Sequence, residues 1–217
     1  MRTKFKAGGL RVDDRAVLAG RRFSTPTNQT PLPWFEARFL CLPPNDQGNT
    51  STCAGQTTAG YIEVKNYEAT QVLKQQDGFK IYKKAKVLDG DDGDGTSLTQ
   101  AIKAAKQLGL LRNNLSLRTI RTKRQVQFAL HKHKAVIAGF MIDENWNRAG
   151  KDGWIGTGHD EAIGGHAVLL CWYSDTPEYR AGIGFQNSWG SKWGANGFGR
   201  LSWPQFHKQF LYAVVLE

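Results

Sequence analysis

From residue 135 to its end, the chain changes the spacing at which apolar residues recur. AVIAGFMI (135–142), HAVLLCWY (166–173), IGFQNSW (183–189), GFGRLSW (197–203) and FLYAVVL (210–216) are short, β-branched or aromatic, and divided by glycine-bearing breaks. Runs of that length and composition are strands. Before residue 135 the signals are helical. Ser97 and Gln100 form a capping box, Leu98, Ala101, Ile102, Ala105 and Leu108 share one face, and Gly109 ends the segment. Thr122 and Gln125 open a second helix that runs through His131. Helices followed by antiparallel strands predict an α+β fold with two segregated lobes.

Two other segments are less regular. Residues 52–71 allow a helix capped by Ser51 or Thr52, but Gly55, Gly60 and several threonines and glutamines make its propensity poor. Burial against the rest of the protein has to hold it. Residues 1–40 carry Pro26, Pro31 and Pro33 and no sustained period, and they read as an arm of short extended segments.

Composition narrows the class. The 217 residues are 40% hydrophobic with 7 Trp, 11 Phe and 6 Tyr, enough for a buried core. No apolar run approaches the ~18 residues of a membrane span, so no membrane partner is expected. The basic N-terminus lacks the apolar stretch of a secretory signal. The cysteine count, 3, is odd and makes no disulfide framework, which points to a reducing, cytoplasmic setting. The net charge of +10 is spread over the chain, with clusters at KIYKKAK (80–86), RTIRTKR (118–124) and HKHK (131–134). These clusters lack interleaved aromatics, so any nucleic-acid binding is expected to be non-specific. DGDDGDGT (89–96) lacks the glutamate that closes a calcium loop, and His131 and His133 share no helical face, so no metal or cofactor is expected.

The chemistry centres on Cys53, within DQGNTSTCAGQTT (46–58), where the polar loop ends and the segment 52–71 begins. A thiol attacks a carbonyl as thiolate, which a helix N-terminus and a neighbouring imidazolium both favour. His166 in GGHAVLLCWY is the candidate base. Asn187 in FQNSWGSKWG can accept its second ring N–H and fix its orientation.

Together these stretches resemble the papain-like cysteine peptidases. The nucleophile loop is matched by Asp46-Gln47-Gly48 and Cys53, and the histidine motif by Gly165-His166-Ala167-Val168 and Tyr173. The asparagine motif is matched at length by Gln186-Asn187-Ser188-Trp189-Gly190, Trp193-Gly194 and Gly197-Phe198-Gly199. Cysteine, histidine and asparagine also stand in the family's order. The resemblance, which covers roughly residues 40–217, implies a papain-like two-lobed fold with the active site in a cleft. A helical lobe (41–118) would face an antiparallel, β-barrel-like lobe (119–217), together one peptidase domain (41–217).

By the same resemblance Cys53 is the nucleophile, His166 the base and then the acid, and Asn187 the group that orients His166. Gln47 shares the oxyanion with the Cys53 backbone N–H. Trp189 covers the Asn–His bond, while Gly165, Ala167 and the loop at Gly95-Thr96 line the substrate site. The substrate is then a peptide or protein, cleaved through a thioester acyl-enzyme. Cys53 and His166 are expected to form a thiolate–imidazolium pair.

Three departures stand out. Thr50 replaces a cysteine that forms a disulfide in many relatives, Ala54 replaces an aromatic, and Gly55-Gln56 replaces a small residue followed by an aromatic. Cys41 and Cys171 read as buried small hydrophobes. The 52 residues before Cys53 are fewer than the family's inhibitory propeptide, so residues 1–35 act as a short pro-segment, or none is needed, or a longer precursor was trimmed. A catalytically degenerate protein-binding module and an acyl transferase using the same triad stand as the other readings.

Overall fold

The structure is a computed structural model that describes residues 8–12, 20–158 and 161–217. Of the N-terminal arm, residues 1–7 and 13–19 therefore lie outside the described residues. Three helices come first: α1 (Cys53–Thr70), α2 (Gly78–Asp89) and α3 (Leu98–Gln107). Asp77 and Ser97 cap the last two by accepting the N–H of Lys80 and Gln100. Helix α1 has no such cap. It is held by burial instead, since each of its first twelve residues, Cys53 to Val64, is buried.

Among the described residues the strands form one eight-stranded sheet in the order β1-β3-β8-β4-β5-β6-β7, with β2 pairing to β5. Its long members are β4 (Val136–Asp143), β5 (Ala162–Ser174) and β8 (Phe210–Leu216), flanked by β3 (Leu117–Ile120), β6 (Gly182–Gln186) and β7 (Phe198–Ser202). All pair antiparallel except β1 (Arg21–Arg22), which runs parallel to β3. The sheet is open, with β1 and β7 at its ends, so the expected barrel does not close. The arm contributes to it: β1 and β2 (Trp34–Glu36) are residues that carry no period in the sequence. Helix α4 (Lys123–His133) is capped by Thr122, and α5 (Trp203–Gln209) by Ser202.

Both faces of the central strands are buried, and the alternation of their side chains divides the interior in two. Ile137, Ala167, Leu169, Tyr212 and Val214 face the helices and pack with Ile62, Leu98 and Ile102. Their neighbours Val136, Ala138, Val168, Leu170 and Val215 face an aromatic core built on Phe140, Trp146, Phe185 and Phe206. His166, paired with Phe140 in the register of β4 and β5, meets Trp146 and Trp189 of the aromatic core. Among the described residues no helix is long and apolar enough to cross a membrane.

Candidate active site

Cys53 begins α1, and the loop before it is pinned to the loop after β6. Gln47 N–H donates to Ser188 O at 2.8 Å and Gly190 N–H to Asn45 O at 3.0 Å. The Gln47 side chain is fixed at both ends: Nε2 donates to Thr50 O at 2.8 Å, and Oε1 accepts the Ser188 hydroxyl at 2.6 Å. The uncapped helix start leaves the Cys53 and Ala54 N–H groups directed at the thiol rather than at a capping side chain.

His166 is fully buried in β5. Its Nε2 lies 2.7 Å from Asn187 Oδ1, which also accepts the Ser188 N–H at 2.8 Å. An amide oxygen only accepts, so Nε2 carries the proton and Nδ1 keeps its lone pair. That Nδ1 has no hydrogen-bond partner among the described residues. Trp189 lies over the imidazole, ring centroids 4.8 Å apart, and Trp146 meets it edge-on at 5.9 Å. Trp146 is a site residue that sequence reading missed. It sits in the loop after β4 with no motif around it, and only tertiary packing brings it to His166.

The expected wall residues converge on one segment of the chain itself. Gly8 and Leu10 donate their N–H groups to Gly165 O at 3.1 and 3.2 Å. On the other side, Thr96 N–H donates to Gly9 O at 3.0 Å and Arg11 N–H to Thr96 O at 3.1 Å. Residues 8–11 thus run between the Gly95-Thr96 loop and the Gly165-His166 strand. Gly9 has no room for a side chain, because a Cβ there would lie 2.7 Å from Ser51 O and 3.0 Å from Cys53 Sγ. Gly95 is equally crowded, its would-be Cβ 2.5 Å from Gly9 O. Leu10 is buried with Ala167 in the helix-facing core. Arg11 anchors the segment, donating Nη2 to Asp91 at 2.9 Å and Nε to Asp94 O at 3.0 Å. This pairing, with Lys86, holds the Asp91 carboxyl well below the usual carboxylate range.

Burial sets the electrostatics. It pushes the Cys53 thiol up from 9.0 to about 11, against the opposing N–H groups of Ala167, Ala54 and Cys53. It also pushes His166 down from 6.5 to about 4, against the bond to Asn187. Burial thus disfavours both charged forms, the thiolate of Cys53 and the imidazolium of His166. All three cysteines are free thiols. His131 Nε2 lies 2.9 Å from the Tyr173 hydroxyl and His133 faces Glu217, so neither turns toward Cys53.

The sequence matches no family model and no curated protein. Solved structures are similar over most of the chain. Xylellain, a cysteine protease from Xylella fastidiosa, superposes with a TM-score of 0.78 at 17% identity, covering 100% of this chain and 98% of that one. Digestive procathepsin L2 from Tenebrio molitor larval midgut gives 0.78 at 16%, over 97% and 78% of the two chains. The proform of the ragweed pollen cysteine protease Amb a 11 gives 0.70 at 14%, over 93% and 71%. Identities this low speak for the fold alone, and the fold is that of the papain-like cysteine peptidases.

Proposed function

We propose that this chain is a cysteine endopeptidase, held latent by its own residues 8–11. The observation that carries the reading is His166, oriented by Asn187 through Nε2 with Nδ1 left unpartnered, in the strand whose next residue, Ala167, turns its N–H to the Cys53 thiol. The Cys53 thiolate attacks the peptide carbonyl, and the oxyanion is met by the Cys53 N–H and the Gln47 amide. His166 carries the thiol proton on Nδ1 and passes it to the departing amine as the C–N bond breaks, leaving a thioester on Cys53. Water, deprotonated by the same nitrogen, then cleaves the thioester and releases the acid and the thiol. Trp189 keeps water from the Asn187–His166 bond, and Gly165 and Gly95 present the backbone edges on which an extended peptide lies.

Residues 8–11 use those same edges, so peptide substrate and segment compete for one site. An intramolecular competitor acts at high effective concentration. Several of the similar structures are proforms, which fits a masked resting state. The reading places the enzyme in a reducing, cytoplasmic setting, with support from its three free thiols.

An inert binding module draws its support from the burial of the Cys53 thiol, which disfavours the thiolate. One experiment separates the two readings. The full chain, and a chain lacking residues 1–12, are treated with an epoxide thiol probe, and the labelled cysteine is mapped. Rapid labelling of Cys53 in the truncated chain, with turnover of a small peptide substrate, supports the peptidase. Labelling of Cys53 no faster than Cys41 in both chains refutes it.

A further inference from the structure

The two cysteines that take no part in the chemistry at Cys53 meet each other. Strands β2 and β5 pair in the register Glu36 with Trp172, and the next rung is Ala37, whose N–H donates to Cys171 O at 2.9 Å. The chain then turns back through a short 3₁₀ helix, Arg38–Leu40. Leu40 N–H donates to Ala37 O and Cys41 N–H to Arg38 O, each at 3.0 Å. The turn returns Cys41 to the rung just left: its Sγ lies 4.0 Å from Ala37 O, and its thiol shares a hydrogen bond with that of Cys171.

The two thiols differ in reach. Cys41 is half-buried, open to a small reagent, whereas Cys171 has no exposed surface. Burial holds the Cys171 thiol well above an ordinary cysteine, and Cys41 and Glu36 add to this. Arg38 opposes them, and both sulfurs in turn favour its charge, so a guanidinium stands beside the pair. Core filling explains Cys171 by itself, since a buried free cysteine behaves as a small hydrophobe. It does not explain a second, reachable thiol held against the first.

We propose that Cys41 and Cys171 are a redox-active pair, which a small-molecule disulfide of the glutathione type converts to an intramolecular disulfide. The Cys41 thiolate attacks one sulfur of the oxidant, whose S–S bond breaks, leaving a mixed disulfide on Cys41 and releasing a first small thiolate. The Cys171 thiolate then attacks Cys41 Sγ, the mixed S–S bond breaks, and the second small thiolate leaves. Both protons lost by the protein thiols end on the released thiols, so the protein is oxidised and the small disulfide reduced. The second step is intramolecular between sulfurs already in contact, and its high effective concentration offsets the poor ionisation of Cys171. An excess of reduced small thiol reverses both steps. The bond would tie β5, the strand of His166, to the stretch of chain that leads to Gln47.

The full chain, reduced and then freed of reductant, is equilibrated with mixtures of reduced and oxidised glutathione, quenched in acid, alkylated and mapped by mass spectrometry. As the oxidised share rises, the free thiols should fall from three to one, with Cys41 and Cys171 recovered in one linked peptide. Residues 41 and 171 are far apart in the chain, so their bond restrains the unfolded state and the linked protein should melt about 5 °C or more higher. Cys171→Ser should stop at a mixed disulfide on Cys41. Cys41→Ser, at the half-buried position, should gain neither the bond nor the stability, and it serves if Cys171→Ser fails to fold. The proposal is overturned if the parent stops at the mixed disulfide, or keeps all three thiols in oxidised glutathione alone. A linked peptide that contains Cys53, or a linked protein that melts no higher than the reduced one, overturns it equally.

Discussion

The Cα of Gly9 is packed so closely on the nucleophile that a methyl group there would sit 3.0 Å from Cys53 Sγ. The same methyl would press on Ser51 O at 2.7 Å, a backbone atom that cannot swing aside. Glycine is thus the residue that lets the segment lie flat over the thiol.

Gly9→Val should therefore lift the segment from the cleft without touching the catalytic groups. Cys53 should become accessible to a thiol probe, and turnover of a small peptide should rise toward that of the chain lacking residues 1–12. Equal labelling rates for parent and Gly9→Val would mean that the segment does not guard the thiol.

The pH dependence of labelling follows from the two shifts. In the full chain the thiol is pushed up to about 11, so the thiolate fraction, and with it the rate, should climb only on the alkaline side of an ordinary cysteine. Removing the segment admits water, which weakens the burial penalty on both charged forms. The helix N-terminus and the imidazolium then favour the thiolate, and the thiolate favours the imidazolium. Labelling and turnover should acquire an acidic limb, with turnover falling again at high pH as the ring proton is lost. Stopped-flow alkylation of both chains across the pH range checks this, and superimposable profiles would refute it.

How much of this was legible varies with how local the cause is. The motif around Asn187 is legible because the turn after β6 restricts residue types at fixed offsets, and that around His166 because glycines precede a buried apolar run within β5. The segments of β4, β5, β6 and β8 read as near-continuous apolar runs because both of their faces are largely buried, while β7 alternates buried and half-buried residues. By contrast β1 and β2 are two and three residues long, too short to show a period. Helix α2 reads as a basic cluster because only Gly78, Ile81 and Ala85 of its twelve residues are buried. The capping box at Ser97 is half there: its hydroxyl accepts the Gln100 N–H, while the Gln100 amide turns to Leu88 O. The covering of Cys53 was out of reach of the motifs, because it involves a segment far away in the chain.

The departures after the nucleophile have a structural reason that can be tested. Gly55 lets α1 approach the start of α2, where an added Cβ would lie 2.4 Å from Gly78 O and 2.9 Å from Tyr82 Cβ. The Gln56 side chain in turn occupies the space over Gly78, its Oε1 2.2 Å from where a Cβ would be. Gly55→Ala gains helix propensity but forces two backbones apart, and overpacking of this kind costs about 1–3 kcal/mol. Its melting temperature should fall, whereas Ala substitution at exposed Lys83 of α2 should leave it nearly unchanged. A Gly55→Ala protein as stable as the parent would show that the helices shift freely.

Two side chains meet at Ser188, and their loss should be felt differently. Its N–H is held by Asn187 Oδ1 at 2.8 Å, and its hydroxyl holds Gln47 Oε1 at 2.6 Å. Asn187→Ala removes the acceptor at His166 Nε2 and frees the ring to turn, but leaves Nδ1 chemistry available. Turnover should drop while remaining measurable, and the thiol-probe rate should drop with it because the imidazolium is no longer held near the thiolate. Gln47→Ala removes an oxyanion donor and leaves the Cys53–His166 pair as it was. Turnover should fall by on the order of 10²-fold, the usual loss for one such donor. A probe that alkylates by direct displacement forms no oxyanion, so its rate with Gln47→Ala should be close to that of the truncated parent. Ser188→Ala, which loosens Gln47 without deleting it, should fall between parent and Gln47→Ala in turnover and match the parent in alkylation. Measured in the chain lacking residues 1–12, the ratio of turnover to alkylation rate thus sorts the two roles. A Gln47→Ala protein that loses alkylation and turnover in equal proportion would assign Gln47 to holding the loop rather than to the oxyanion.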